Sequence, residues 1–133
     1  MSAGTALELP ELVFEGGIPG FREARRFALV QVGDGPFGVL RCIDQPGVEF
    51  VVVPPMFFFA DYEPEIDDDS AADLGLTGPD DALLLVVVNV ADDIARSTAN
   101  LLGPIVINPE TRRGAQVILA GTDHKTQTPL VPA

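Results

Sequence analysis

Apolar residues in this chain come in short blocks interrupted by turn-forming residues. The longest unbroken block, Ala82 to Val88, has no polar alternation. That pattern predicts a strand buried on both faces, as in the centre of a closed or two-layered sheet. Shorter blocks rich in Val, Ile, Leu and Phe predict further strands at Leu12–Phe14, Arg26–Val32, Phe37–Ile43, Val48–Pro54, Leu83–Val90, Thr98–Leu102, Ile105–Asn108 and Ala115–Leu119. Gly33-Asp34-Gly35-Pro36 is turn chemistry between two of them, because Gly tolerates positive φ and Asp bonds to its own following backbone. Asn108-Pro109-Glu110-Thr111, with Gly114 soon after, reads in the same way. Two hairpins are therefore expected. Helix is favoured only at Asp67–Leu76, where an Asp can cap the first turn of Ser70-Ala71-Ala72-Asp73-Leu74. The expected fold is all-β: a small antiparallel β-barrel-like domain of eight to ten short strands with at most one short helix. Its polar, Pro-containing tail is expected to fray from about Thr122.

Twelve prolines and thirteen glycines among 133 residues fit that texture of strands and turns. A chain of this mass buries about two-thirds of the surface its unfolded form exposes, enough for one core. No apolar run approaches the ~20 residues of a membrane helix, and the amino terminus lacks the basic start and apolar stretch of a secretory signal. A cytoplasmic protein is expected. Cys42 is the only cysteine, which fits a reducing compartment and leaves stability to packing.

The net charge of −12 is unevenly distributed. No Lys or Arg lies between Arg41 and Arg96, whereas thirteen of the twenty acidic residues lie there, from Asp44 to Asp93. Such a surface repels a phosphate backbone and so argues against direct nucleic-acid binding. It would steer a basic protein partner instead.

Candidate chemistry narrows quickly. Gly33-Asp34-Gly35-Pro36-Phe37-Gly38 matches GxGxxG, but a strand-like run follows it where a dinucleotide site requires a helix. Asp61, Glu63, Glu65, Asp67, Asp68 and Asp69 offer oxygen ligands. With Asp61 first, however, an EF-hand loop would have Ile66 where Gly is needed and Ala72 where a bidentate Glu is needed. The remaining cation reading is a small β-barrel that binds a low-molecular-weight ligand or a divalent ion through this acidic loop. His124, the only histidine, lies in the polar tail away from any obvious nucleophile, and Cys42 sits in a strand-like run as a small hydrophobe would. No catalytic residue, cofactor site or metal site is expected. Phe57-Phe58-Phe59 runs into Asp61-Tyr62-Glu63, and consecutive aromatics in a strand cannot all face one core. Aromatics ringed by charge suit a protein interface, with Phe58, Asp61, Tyr62, Glu63, Glu65 and Asp67 as its contact residues.

Five motifs add a resemblance. Gly17-Ile18-Pro19-Gly20-Phe21; Pro36-Phe37 with Leu40; Phe50-Val51-Val52-Val53-Pro54; Asp61-Tyr62-Glu63-Pro64; and Thr98-Ala99-Asn100-Leu101-Leu102-Gly103-Pro104-Ile105-Val106-Ile107-Asn108 resemble, in that order, the FliW family of flagellar assembly factors. Together they span roughly residues 10 to 120. The resemblance implies a cytoplasmic bacterial regulator that has a β-barrel-like fold, lacks catalytic activity and cofactor, and is monomeric when unbound. It also implies two competing partners: CsrA, a basic dimeric RNA-binding repressor of flagellin messenger RNA, and flagellin itself. The sequence departs from the family pattern at Arg22, followed by Arg25 and Arg26, where an acid is usual after the first Gly-Phe. It departs again at His124, where an aromatic is expected.

Overall fold

The computed structural model describes residues 9–18, 20–78, 81–119 and 121–131. Its strands are β1 (Leu9–Val13), β2 (Arg26–Gln31), β3 (Gly38–Cys42), β4 (Glu49–Val53), β5 (Leu83–Asn89), β6 (Thr98–Ala99), β7 (Ile105–Asn108), β8 (Arg113–Gln116) and β9 (Thr128–Pro129). One α-helix, α1 (Asp68–Leu74), and 3₁₀ turns at Pro55–Phe57 and Ile94–Arg96 connect them. Seven strands close into a barrel in the order β1-β2-β3-β4-β5-β7-β8, and β6 and β9 extend from the far end of β5 as a side ribbon. The expected barrel-like fold is present, and every pairing is antiparallel except that of β1 with β8. The exception has a topological cause: a ring with an odd number of strands cannot alternate direction all the way round. The parallel seam is minimal, one aligned pair at Val13 and Arg113 with a 2.8 Å bond from the Val13 N–H to the Arg112 carbonyl.

Side-chain alternation along the strands builds two layers. Leu12, Phe14, Phe27, Leu29, Leu40, Val52, Leu85, Ile105 and Ile107 fill the barrel interior. The opposite faces of β5 and β7 are covered as well: Val86 and Val88 pack with Ala99, Leu101 and Leu130, and Val106 packs with Leu74, Val117 and Leu119. The unalternating block from Leu83 to Val88 is thus a strand buried on both faces, as its sequence predicts. The barrel supplies one inside and one covered outside.

Both hairpins form. The Val32 N–H donates to the Phe37 carbonyl at 2.9 Å across the first, and β7 and β8 pair from Asn108–Arg113 onward in the second. Asn108 organises this second turn from the barrel's outer face. Its Oδ1 accepts from the Glu110 N–H at 3.0 Å, and its Nδ2 donates to the carbonyls of Leu74 and Gly75 at 2.8 and 3.3 Å. One buried amide therefore closes a hairpin and satisfies the carboxy end of α1. Asn108→Ala is expected to cost about 1–3 kcal/mol by orphaning those groups, read as a lower urea midpoint at unchanged slope.

Three boundaries differ from the expected ones for identifiable reasons. β1 starts earlier, at Leu9, across a register slip before Leu12; Pro10 offers no N–H to the ladder there. β6 stops at Ala99 rather than Leu102, because Asn100 Oδ1 accepts from the N–H groups of Leu102 and Gly103 at 3.1 and 2.9 Å and bends the chain. The last long strand covers Arg113–Gln116 instead of Ala115–Leu119. Its partner there runs into Pro104, which cannot donate, so pairing continues only through Val117 and Leu119 N–H bonds to the carbonyls of Pro104 and Leu102. The tail, expected to fray from about Thr122, is instead tied back. The Lys125 carbonyl accepts from Leu101 and Leu102, β9 pairs with β6, and Leu130 is buried. Its polar composition hid these bonds because most of them are made by the backbone.

Pro19 of the first motif lies outside the described residues. Around it, Ile18 and Phe21 bridge through N–H···O bonds of 3.3 and 2.6 Å. Gly17 has φ +68°, and a Cβ there would lie 2.5 Å from the Arg22 carbonyl oxygen. Only glycine fits, and the motif is explained as a turn.

Candidate functional site

The acidic stretch has no regular secondary structure from Tyr62 to Asp67, Asp61 closes the turn before it, and exposure alternates along it. Tyr62, Pro64 and Ile66 are half-buried, whereas Asp61, Glu63, Glu65 and Asp67 are exposed. Proline at position 64 favours extended backbone for itself and for Glu63, and an inner apolar edge presses the segment against the barrel's outer layer. The four carboxylates thus form an outward-facing ladder, with no basic residue anywhere between Arg41 and Arg96 in the sequence.

Each end of the ladder is fixed. Tyr62, expected as a contact residue, acts first as a strut: its hydroxyl donates to the Leu101 carbonyl at 2.6 Å, and its ring packs between the two outer clusters. Burial pushes its phenol up to about 12 from the usual 10.0. Because the folded value is raised, the neutral phenol's contribution is complete below the unfolded value and is lost as pH rises through the folded one. Phenolate absorbance is expected to titrate near 12 in native protein and at the ordinary value in denaturant; coincident curves would remove Tyr62's anchoring role. Asp67 caps α1, accepting from the Ser70 N–H at 3.0 Å and the Ser70 hydroxyl at 2.6 Å. These bonds hold its carboxyl below the usual range. Gly75, in the left-handed region at φ 72°, ends the helix. The cap predicted among Asp67, Asp68 and Asp69 is therefore Asp67, and the other two add charge at the helix's positive end.

The aromatic block is arranged differently from a strand. Pro55–Phe57 form a 3₁₀ turn, so Phe58 and Phe59 fold back, half-buried, into the outer cluster, with the Phe58 ring 5.8 Å from that of Phe37. Met56 and Phe57 are the exposed pair, at 73% and 60%. The exposed aromatic of this block is Phe57, whereas Phe58, expected as a contact residue, is half-buried. Strand alternation missed this; Pro54-Pro55, the start signal of a helical turn, was the available clue.

Beside the ladder, Glu63, Glu65 and Asp67 line a groove together with exposed Ile118 and half-buried His124. The His124 ring meets Tyr62 edge-on, with centroids 4.8 Å apart. Among the described residues, no group of three or more His, Cys, Asp or Glu side chains is placed to hold a metal ion. Cys42 lies in the barrel, where burial and its 2.9 Å bond to Asp44 push the thiol up and away from nucleophilic reactivity. No helix among the described residues is long and apolar enough to cross a membrane.

The FliW protein family model matches residues 5–130. The chain belongs to the FliW family. It is 44% identical over 119 residues to the flagellar assembly factor FliW of Geobacillus kaustophilus, covering 90% of this chain and 83% of the relative. It is 33% identical over 120 residues to that of Bacillus subtilis, covering 90% and 84%. A crystal structure of the flagellar assembly factor FliW superposes with a TM-score of 0.89 at 42% identity, covering 93% of this chain and 87% of the other. Within this FliW chain, the departures noted in the sequence have local roles. Arg26 pairs with Glu11 at 2.7 Å, and Arg25 Nε donates to the Arg22 carbonyl at 3.3 Å. His124, standing where an aromatic is expected, supplies a ring to Tyr62.

Proposed function

We propose that this FliW-family chain is a non-enzymatic flagellar assembly factor that binds and antagonises a CsrA-type translational regulator and also binds flagellin. Flagellin level would then set translation of flagellin messenger RNA. The observation that carries the reading is the ladder Asp61, Glu63, Glu65 and Asp67, fixed at both ends and accompanied by exposed Met56 and Phe57. A protein that grips RNA phosphates must present Lys and Arg, and a rigid row of carboxylates competes for those groups. Exposed Phe57 supplies the apolar anchor that slows dissociation, while the acids set the approach. The chain acts as one cytoplasmic domain, monomeric when unbound and without a cofactor. Flagellin, as the second ligand, withdraws the protein and frees the repressor.

The test is titration of the purified chain into a complex of cognate CsrA and flagellin leader RNA, followed by RNA anisotropy, then addition of flagellin. RNA is expected to be released as the chain is added and to rebind when flagellin follows. RNA that stays bound at saturating protein would overturn the proposal.

A further inference from the structure

A second surface lies outside the acidic ladder. The β2–β3 turn, the end of β5 and the loop from Ala91 to Ser97 enclose an open groove of about 580 Å³. Phe37, Val51, Val88 and Leu130 line it from the outer core. Val32, Val90 and Ile94 line it while remaining 48%, 66% and 47% exposed. Three large aliphatic side chains held in water around one apolar groove are unusual for a chain acting alone. Its walls are fixed. The buried Ser97 hydroxyl accepts from the Ala91 N–H at 3.0 Å and donates to the Asp93 carbonyl at 3.1 Å, and the Leu130 N–H donates to the Ser97 carbonyl at 3.1 Å. The tail thus holds the loop in place.

We infer that this groove docks an amphipathic helix of a partner protein, with an aliphatic stripe seated on Val32, Val90 and Ile94 and Lys or Arg residues flanking the stripe. Two observations select this occupant. The floor, made by Phe37, Val51, Val88 and Leu130, offers no hydrogen-bonding side chain, and Ser97 is already engaged within the loop. An extended peptide would leave backbone groups unpaired against such a floor, whereas a helix satisfies its own. The three carboxylates along the groove, Asp34, Asp92 and Asp93, call for basic flanks. Arg96 offsets only one of them, through a 3.5 Å contact with Asp92 between highly exposed side chains. A second copy of this chain is disfavoured by its own charge of −12. The inference does not depend on what binds the ladder.

The probe is a synthetic helical peptide of about four turns, with Leu at i, i+4, i+7 and i+11 and Lys at both ends. It is titrated into the full chain and followed by amide chemical shifts. Shifts are expected around Val32 and from Val88 to Ser97, with binding at least about tenfold weaker for a Glu-ended peptide. Val90→Gln with Ile94→Gln alters exposed positions only, so it is expected to keep the native melting temperature and lose at least about tenfold in affinity. Asp34→Lys with Asp93→Lys, a second variant, is expected to reverse the preference between the two peptides. Equal binding of both peptides, no binding of either, or shifts confined to Asp61–Asp67 would overturn the inference. So would a concentration-dependent dimer that the Val90/Ile94 variant abolishes, since the groove would then serve self-association.

Discussion

Replacing Phe27 with alanine is expected to remove about 3–5 kcal/mol of stability, a large part of what a domain of this size has. The ring is fully buried at the centre of the barrel. Its centroid lies 5.1 Å from that of Phe14 and 6.3 Å from that of Phe50, which in turn meets Phe21 at 5.5 Å. The expected cost combines lost burial with a cavity that a closed ring of strands has little freedom to collapse around. Equilibrium urea unfolding of the two proteins measures it. A loss under about 1 kcal/mol, with the native spectrum retained, would mean that the barrel repacks freely and that the interior assigned here is not the main source of stability.

Reversing the ladder with Asp61→Lys, Glu63→Lys and Glu65→Lys is expected to slow association with the proposed CsrA-type partner at least tenfold at low salt and to flatten its salt dependence. All three side chains are exposed and none caps the helix, so thermal stability is expected to change little. Phe57→Ala is the complementary change, expected to act mainly by speeding dissociation. Stopped-flow association across an ionic-strength series separates the two. An unchanged rate in the triple variant would place the regulator elsewhere on the molecule. Lost binding accompanied by a lowered melting temperature would instead mark these residues as structural.

Much of this architecture is legible without coordinates because hydrophobic patterning and turn chemistry are local. Leu83 to Val88 announces a strand with two covered faces, and Gly33–Pro36 and Asn108–Thr111 announce their hairpins. What escaped detection depends on contacts between residues distant in sequence. The short β6 follows from one Asn100 side chain, and the end of β8 from Pro104 on the neighbouring strand. The tail is ordered by the carbonyls of Ser97 and Lys125. At the candidate site, the acids were readable from composition, and their outward alternation follows from Pro64 and the apolar residues between them. The half-burial of Phe58 and the exposure of Phe57 were not legible because Pro55 begins a 3₁₀ turn, to which strand periodicity does not apply. The Val32–Val90–Ile94 groove had no signature, since its residues come from four separate stretches.

The parallel seam brings an early strand against one of the last: Val13 meets Arg113. Arg113 also reaches back to the Asp73 carbonyl of α1 at 3.3 Å. During synthesis, therefore, the ring stays open and α1 lacks this contact until Arg113 has left the ribosome, a strongly non-local order of assembly. The carboxylate row between those points waits likewise for a distant anchor, the Leu101 carbonyl that holds Tyr62. A partner that recognises the row's shape meets chains already elongated past Leu101, so the available count of binding sites follows elongation rather than initiation.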